Sequence, residues 1–487
     1  MAPLLLSPVV LLVHGYHPCA GDAGIYVAGV RHILDPALYP LNAVFPAAFA
    51  RLSIFPWTIA ALARTTHLPL AWILLAAHLV SILLFLTACR MLAARLFLSE
   101  RSRWCAVLLA AACFTLPVAG TALFVMDPYL TARSFSTPLS LMALAACIDR
   151  GKRAWLRAAL LLILAALVHP LMAAYAFAFV LIHGVIAGRR TRIAVILCGL
   201  AAAAAGIAFL LSLAEPVSPA YREAVLLPAH AFLFLARWRW YEDLGLVLPL
   251  LLFALTLLRL PASSPIRTLC LTCLLVGTTS FAIAAFFVPA SGPCLLVPLQ
   301  PLRSFHLIYG AGVVLCGGIL ASVAARSRLS AWAAVALLFA GMFTAQRVAW
   351  SGSDALEWPW TQPRNPYQQA FLWIRGHTPR DAVFAFNPQL VYLPDEDEQG
   401  FRAMALRDHL ADDKDAGIAA VIPALADRWA AQRNAALHVD GMTDAQRRAT
   451  LTPLGVTWLL LAPGSETRFP CPWRNRVAVV CRIVPAA

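Results

Sequence analysis

Lysine is almost missing, with Lys152 and Lys414 the only two in 487 residues. Charge of either sign is scarce too: 13% of residues are charged, against about 25% in an ordinary soluble domain. Hydrophobic residues make up 61% of the chain and the mean hydropathy is +0.75. This scarcity excludes water as the only solvent. The lack of lysine also undercuts the nucleic-acid reading that a net charge of +14 invites. The cations are arginines, and many stand in short loops between apolar runs, which is a topology signal and no phosphate-binding patch. A glycine-rich nucleotide loop is missing, as is any clear internal repeat. The apolar runs hold almost no Asp, Glu, Lys or Arg, which weighs against an ion-coupled carrier.

What is present is a succession of apolar runs: 3–14, 68–89, 104–120, 135–148, 158–168, 171–187, 193–213, 244–258, 268–289, 305–324 and 329–345. They predict a mostly α protein, with a polytopic α-helical membrane domain of about eleven transmembrane helices over 1–348. The first run is too short to span about 30 Å of hydrocarbon by itself. A hairpin at His169-Pro170 separates 158–168 from 171–187. Compact basic loops alternate with longer ones. They carry Arg90, Arg95, Arg101 and Arg103; Arg150, Lys152, Arg153 and Arg157; Arg189, Arg190 and Arg192; Arg259 and Arg267; Arg326 and Arg328. By the positive-inside rule these loops are cytoplasmic. Eleven spans then place the N-terminus in the cytoplasm and residues 349–487 outside a cell (inner) membrane.

Residues 349–487 read as a small soluble α/β domain. Asn365-Pro366 opens a helix as cap and first residue. Strands are expected at 382–386, 458–461 and 477–484, and helical spacing covers 423–437 and 443–451. The acidic run 395–398 has oxygen ligands for a divalent cation but not the spacing of a calcium loop, so a solvated loop is the expectation. No independent catalytic constellation is visible in this domain. Most of the twelve cysteines sit in apolar runs as small hydrophobes, Cys270 and Cys273 included. Cys471 and Cys481 are positioned to pair in an oxidising compartment, and Cys19 with Cys294 is a second candidate pair.

The outer loops carry the chemistry. The first, 15–66, is far longer than a helix connection requires. Within it Asp22 opens a segment with Tyr26, Val30 and Ile33 at helical spacing, ended by Asp35-Pro36. That describes a short amphipathic helix at the membrane surface. Asp22 reads either as its N-cap or as a general base at a cavity mouth, and Asp35 as a turn residue. The second loop places Asp127 and Arg133 between apolar runs, where ionisable groups tend to face water-filled cavities. A third has Gln300, Arg303 and His306. The loop 214–242 mixes Tyr221, Arg222, Arg237, Arg239 and Tyr241 in the manner of interfacial anchors. His169 reads as a helix-end residue that, with His17, is placed to orient a substrate hydroxyl.

The order of these parts resembles the GT-C superfamily of membrane glycosyltransferases, which use polyprenyl-phosphate sugars. The shared pattern is a first helix, then a long outer loop with an early acid and an amphipathic helix. A second outer loop with its own acid and Arg follows, and a soluble outer domain ends the chain. Asp22, the helix from it, Asp127 with Arg133, and the domain past residue 350 hold those places. Many members carry two adjacent acids in the first loop, whereas Asp22 stands between Gly21 and Ala23.

The resemblance implies inverting transfer of a sugar from a lipid-linked (polyprenyl-phosphate) donor to a glycan, lipid or protein acceptor on the extracytoplasmic face. It makes Asp22 the base and Asp127 a second acid that orients substrate or holds a divalent cation (Mg or Mn). Arg133 or Arg303 then meets the phosphate, with Tyr26, His17, Gln300 and His169 as substrate contacts. The alternative is a transporter or flippase for a lipid-linked or small substrate.

Overall fold

The computed structural model describes residues 2–149, 151–187, 218–261, 264–292, 294, 296–323 and 328–484. The expected apolar run 193–213 and Arg150, Arg189, Arg190, Arg192 and Arg326 lie outside the described residues. The chain divides into two compact units. One takes in the described residues of Met1–Gly15, Ala76–Ala214 and His230–Gln346, and the other those of Tyr16–Leu75, Glu215–Ala229 and Arg347–Ala487.

The first unit is helical, and its helices are turned inside out relative to a water-soluble bundle. In the helix Lys152–Val168 the buried positions are the small Ala154, Ala158 and Ala165. Leu156, Leu160, Ile163, Leu164 and Leu167 form the exposed stripe. In water each exposed aliphatic side chain forgoes roughly 1.5–3 kcal/mol of burial, and five together rival the stability of a whole domain. Hydrocarbon removes that cost, and small residues let helix backbones approach. The Trp240–Leu258 helix repeats the pattern, with Val247, Leu248, Leu251 and Leu255 exposed.

Among the described residues five helices are long and apolar enough to cross a membrane: Leu70–Leu96, Trp240–Leu258, Pro265–Phe287, Val297–Ala321 and Trp332–Ala349. The protein is therefore a multi-pass membrane protein. The remaining expected spans that are described are shorter. Ala2–His14 has 13 residues, Arg133–Ile148 has 16, and Lys152–Val168 and Pro170–Ile186 have 17 each. The run 104–120 does not form one helix. Helix Glu100–Ala112 stops, and Pro117 follows in an irregular segment where Ala119 and Ala122 take left-handed backbone. The break at His169 falls where expected: its ring Nδ1 accepts from the Met172 amide at 3.4 Å and caps the following helix, which has Pro170 at its first position.

The second unit holds a five-stranded mixed sheet: β1 (Val383–Ala385), β2 (Asp408–His409), β3 (Trp458–Leu461), β4 (Trp473–Arg474) and β5 (Val479–Arg482), in the order β2-β1-β3-β5-β4. β1 pairs in parallel with β2 and β3, while β5 is antiparallel to β3 and β4. Phe371, Phe384, Phe401, Trp458 and Val480 make the core of one face. Asn365 caps the helix Pro366–His377 by accepting from the Tyr367 and Gln368 amides at 2.9 and 3.2 Å. Cys471 and Cys481 form a disulfide, whereas the second candidate pair, Cys19 with Cys294, does not form one.

The segment 16–75 belongs to this unit and is mostly helical: Asp22–Leu34, Val44–Leu52 and Phe55–Thr66, the last two meeting at 99°. Tyr221, expected as an interfacial anchor, is buried here, with its hydroxyl donating to the Ala420 carbonyl at 3.3 Å.

Candidate functional site

In the second unit an open cleft of about 410 Å³ runs between the first turns of the Asp22–Leu34 helix and the segment 398–415. Gly21, Gly24 and Ala28 form one wall, and Glu398, Arg402, His409, Asp412, Lys414 and Asp415 line the other. The helix begins on Asp22 itself, with Gly21 in the cap position at positive φ, so Asp22 is the first helical residue and not the N-cap. The Asp22 carboxylate lies 3.4 Å from the Lys414 ammonium, which also meets Glu398 at 3.0 Å. Its side chain keeps 36% exposure, enough for a substrate hydroxyl to reach it.

Deeper in the same cleft lies a group that sequence reasoning missed. His409, Asp412 and Asp415 are all buried, and one ligand atom from each lies within 4.8 Å of the others. Arg402 Nη1 donates to both Asp415 oxygens at 2.9 Å, and its Nε is 3.5 Å from Asp408. Burial, and then its neighbour Asp415, push the Asp412 carboxyl up to about 8. Burial also raises Asp415, opposed by Arg402, while burial and Arg402 together drive His409 well below the ordinary imidazole range. The spacing His-x-x-Asp-x-x-Asp was the available signal. It begins on the last residue of a two-residue strand and runs on into an irregular segment, where no periodicity marks it.

Other expected contacts have structural partners. His17 is buried, stacked on Trp350 at 4.3 Å, with Nδ1 2.9 Å from Glu357. Tyr26 is buried between Phe49 and Phe55. Asp35 behaves as a turn residue: its carboxylate accepts from the Ala37 amide at 3.3 Å and pairs with Arg380. The acidic run is solvated only in part, with Asp395 and Glu398 exposed and Glu396 buried. Glu396 has 0% exposure, and Asp395, Asp397 and Glu398 all adopt left-handed backbone.

The first unit gathers the rest of the sequence candidates. Asp127 and Arg133 form an ion pair at 3.1 Å with side chains only 4% and 6% exposed. The Arg303 guanidinium lies 4.9 Å from the centre of the Phe232 ring. Both Arg133 and Arg303 are within electrostatic reach of His306, whose Nε2 donates to the Val125 carbonyl at 2.9 Å. Gln300 is in left-handed backbone and its carbonyl accepts from Tyr175 at 2.9 Å. In the same unit the buried Gln300 Oε1, His306 Nδ1, Thr131 Oγ1 and Ser136 Oγ have no hydrogen-bond partner among the described residues, although buried polar atoms are normally satisfied. His169 is a helix cap.

No family model matches the sequence, and no curated protein matches it. Among solved structures the chain is similar to archaeal oligosaccharyltransferase AglB from Archaeoglobus fulgidus, solved in complex with an inhibitory peptide and a dolichol-phosphate. The TM-score is 0.50 at 12% identity, and the match covers 95% of this chain and 69% of that one. At that identity the likeness is one of fold: this chain shares the fold of that oligosaccharyltransferase.

Proposed function

We propose that the protein is a membrane glycosyltransferase that moves a sugar from a polyprenyl-phosphate donor to an acceptor on the extracytoplasmic face. The observation that carries the reading is the composition of the second unit. It draws on 16–75, 218–229 and 347–484, all taken from segments that the charge pattern assigns to the outer side. The shared fold supports the same reading, since AglB itself was solved with a dolichol-phosphate.

In the proposed reaction the acceptor hydroxyl oxygen attacks the anomeric carbon as the bond from that carbon to the phosphate oxygen breaks. The electron pair leaves with the lipid phosphate, and the hydroxyl proton passes to Asp22. Inversion follows from the single displacement. Lys414 pairs with the Asp22 carboxylate without covering it. In the other unit Asp127 orients Arg133 through their ion pair, and Arg133 and Arg303 are positive charges suited to a lipid phosphate. A lipid handle suits the absence of a nucleotide-binding glycine loop from the sequence.

Asp22→Asn is the direct test. It keeps size and hydrogen bonding but cannot take the proton, so transfer from a synthetic polyprenyl-phosphate sugar should fall by about 10²–10⁴-fold. The melting temperature should stay near that of wild type. Full activity in Asp22→Asn removes the base assignment.

A further inference from the structure

The inner end of the cleft is crowded with carboxyl groups. Asp408, Asp412 and Asp415 are 0%, 5% and 3% exposed, and among the described residues Arg402 is the cation ion-paired within this set. The neighbouring cations are engaged elsewhere. Arg433 pairs with Asp413 and Glu223, and Lys414 with Asp22 and Glu398. Three buried carboxyl groups thus share one guanidinium beside His409. Burial works against all three ionising together, and a positive occupant would relieve that.

The hydrogen bonding of His409 points the same way by an independent route. Its Nδ1 lies 2.5 Å from the Leu410 carbonyl oxygen, which only accepts, so Nδ1 carries the proton. Nε2 therefore presents a lone pair. It faces Asp412 Oδ2 at 3.9 Å, too far for a hydrogen bond, with the two side chains 3% and 7% exposed. The other Asp412 oxygen is taken by the amides of Lys414 and Asp415 at 3.0 and 2.9 Å. Two electron-pair donors thus face each other across a gap. An ion bound about 2.0–2.2 Å from each ligand atom bridges that gap, and Asp415 is in range as a third ligand.

We propose that His409 Nε2, Asp412 and Asp415 hold a divalent cation at the inner end of the cleft. A mixed imidazole and carboxylate set selects Zn²⁺ or Mn²⁺ over Ca²⁺ or Mg²⁺, which prefer oxygen alone. Three protein ligands leave coordination positions open towards the cleft, the arrangement of a site that acts on a substrate. On the transferase reading, those positions take a phosphate oxygen of the donor and stabilise the charge left as the sugar departs.

The test uses the full chain in detergent, stripped with chelator and then titrated separately with Zn²⁺ and Mn²⁺. Bound metal is counted by mass spectrometry and affinity measured by calorimetry. Wild type should take up one saturable equivalent that raises its melting temperature. His409→Gln and Asp412→Asn should lose affinity by more than the roughly 10–100-fold typical of losing a second-shell partner, while Asp397→Asn binds as wild type does. A wild type that binds no ion overturns the proposal, as does undiminished binding in the variants. Protein that binds one ion yet transfers no sugar keeps the site and removes the transferase reading. An active transferase without bound metal does the reverse.

Discussion

Glu396 has no exposed surface; one carboxylate oxygen accepts from the Gln399 amide at 2.9 Å and the other has no partner. Burial raises its affinity for a proton well above the ordinary glutamate value, opposed by the Gln399 amide and reinforced by Glu398 and Asp397. The native state then holds a proton that the unfolded chain releases. The stability this group gives is present below the unfolded value of about 4.3 and is lost as pH rises towards the raised native value. Glu396→Gln mimics the protonated form. It should raise the melting temperature at pH 8, with the gain shrinking as pH approaches 4.5; a loss of the same size at both pH values would contradict this. Such environments are not written in the local sequence. An acidic run of four reads as solvated until the chain that covers it, here Cys19 to Gly21, is known to lie against it through the Gly400 and Gly21 amides. Asp22 and Arg133 were legible as candidates because charge is so rare in this chain. His409 was not, because its partners converge only through an irregular turn.

At the scale of elements, the Asp22–Leu34 helix was readable end to end from its apolar spacing and from Asp35-Pro36. Its docking was not, because the contact is backbone against backbone. A Cβ on Gly24 would come within 2.9 Å of both the Cys19 carbonyl oxygen and the Gly400 Cα, and one on Gly400 within 2.6 Å of the Gly24 Cα. Gly24→Ala and Gly400→Ala should each destabilise the second unit by about 1–3 kcal/mol through overpacking. Gly376→Ala, in the helix Pro366–His377 with nothing within 4 Å of the added carbon, should leave melting unchanged or raise it slightly. Thermal melts of the three variants check this, and equal destabilisation by all three would contradict it. β2 and β4, two residues each, escaped the sequence because a strand that short shows no alternation. The run 104–120 overran its helix for a related reason: apolar composition marks a segment as buried in lipid or protein, but Pro117 and the chain around it decide where the helix stops.

For the whole molecule, the inside-out helices make the membrane class certain from composition onward, and the arginine distribution carries the proposed orientation. An alkaline phosphatase fused after residue 484 in a bacterial host should be active and a cytoplasm-dependent fluorescent reporter dark; the opposite result would invert the topology. The Cys471–Cys481 disulfide fits the same side, where thiols oxidise. One consequence reaches into biosynthesis. Gly400 donates to Cys19 and Glu357 to Tyr16, so the first loop finds its partners only after most of the chain has been made. At a translation rate of about 5–20 residues per second, the helix that starts at Asp22 waits roughly 20–75 s for its neighbours. During that interval Phe49 and Phe55 can already flank Tyr26, but the Gly24 face that meets Gly400 has nothing of the mature fold to cover it. The nascent loop is therefore a natural client for envelope chaperones, and slowed translation between residues 75 and 350 should leave it open to proteases for longer.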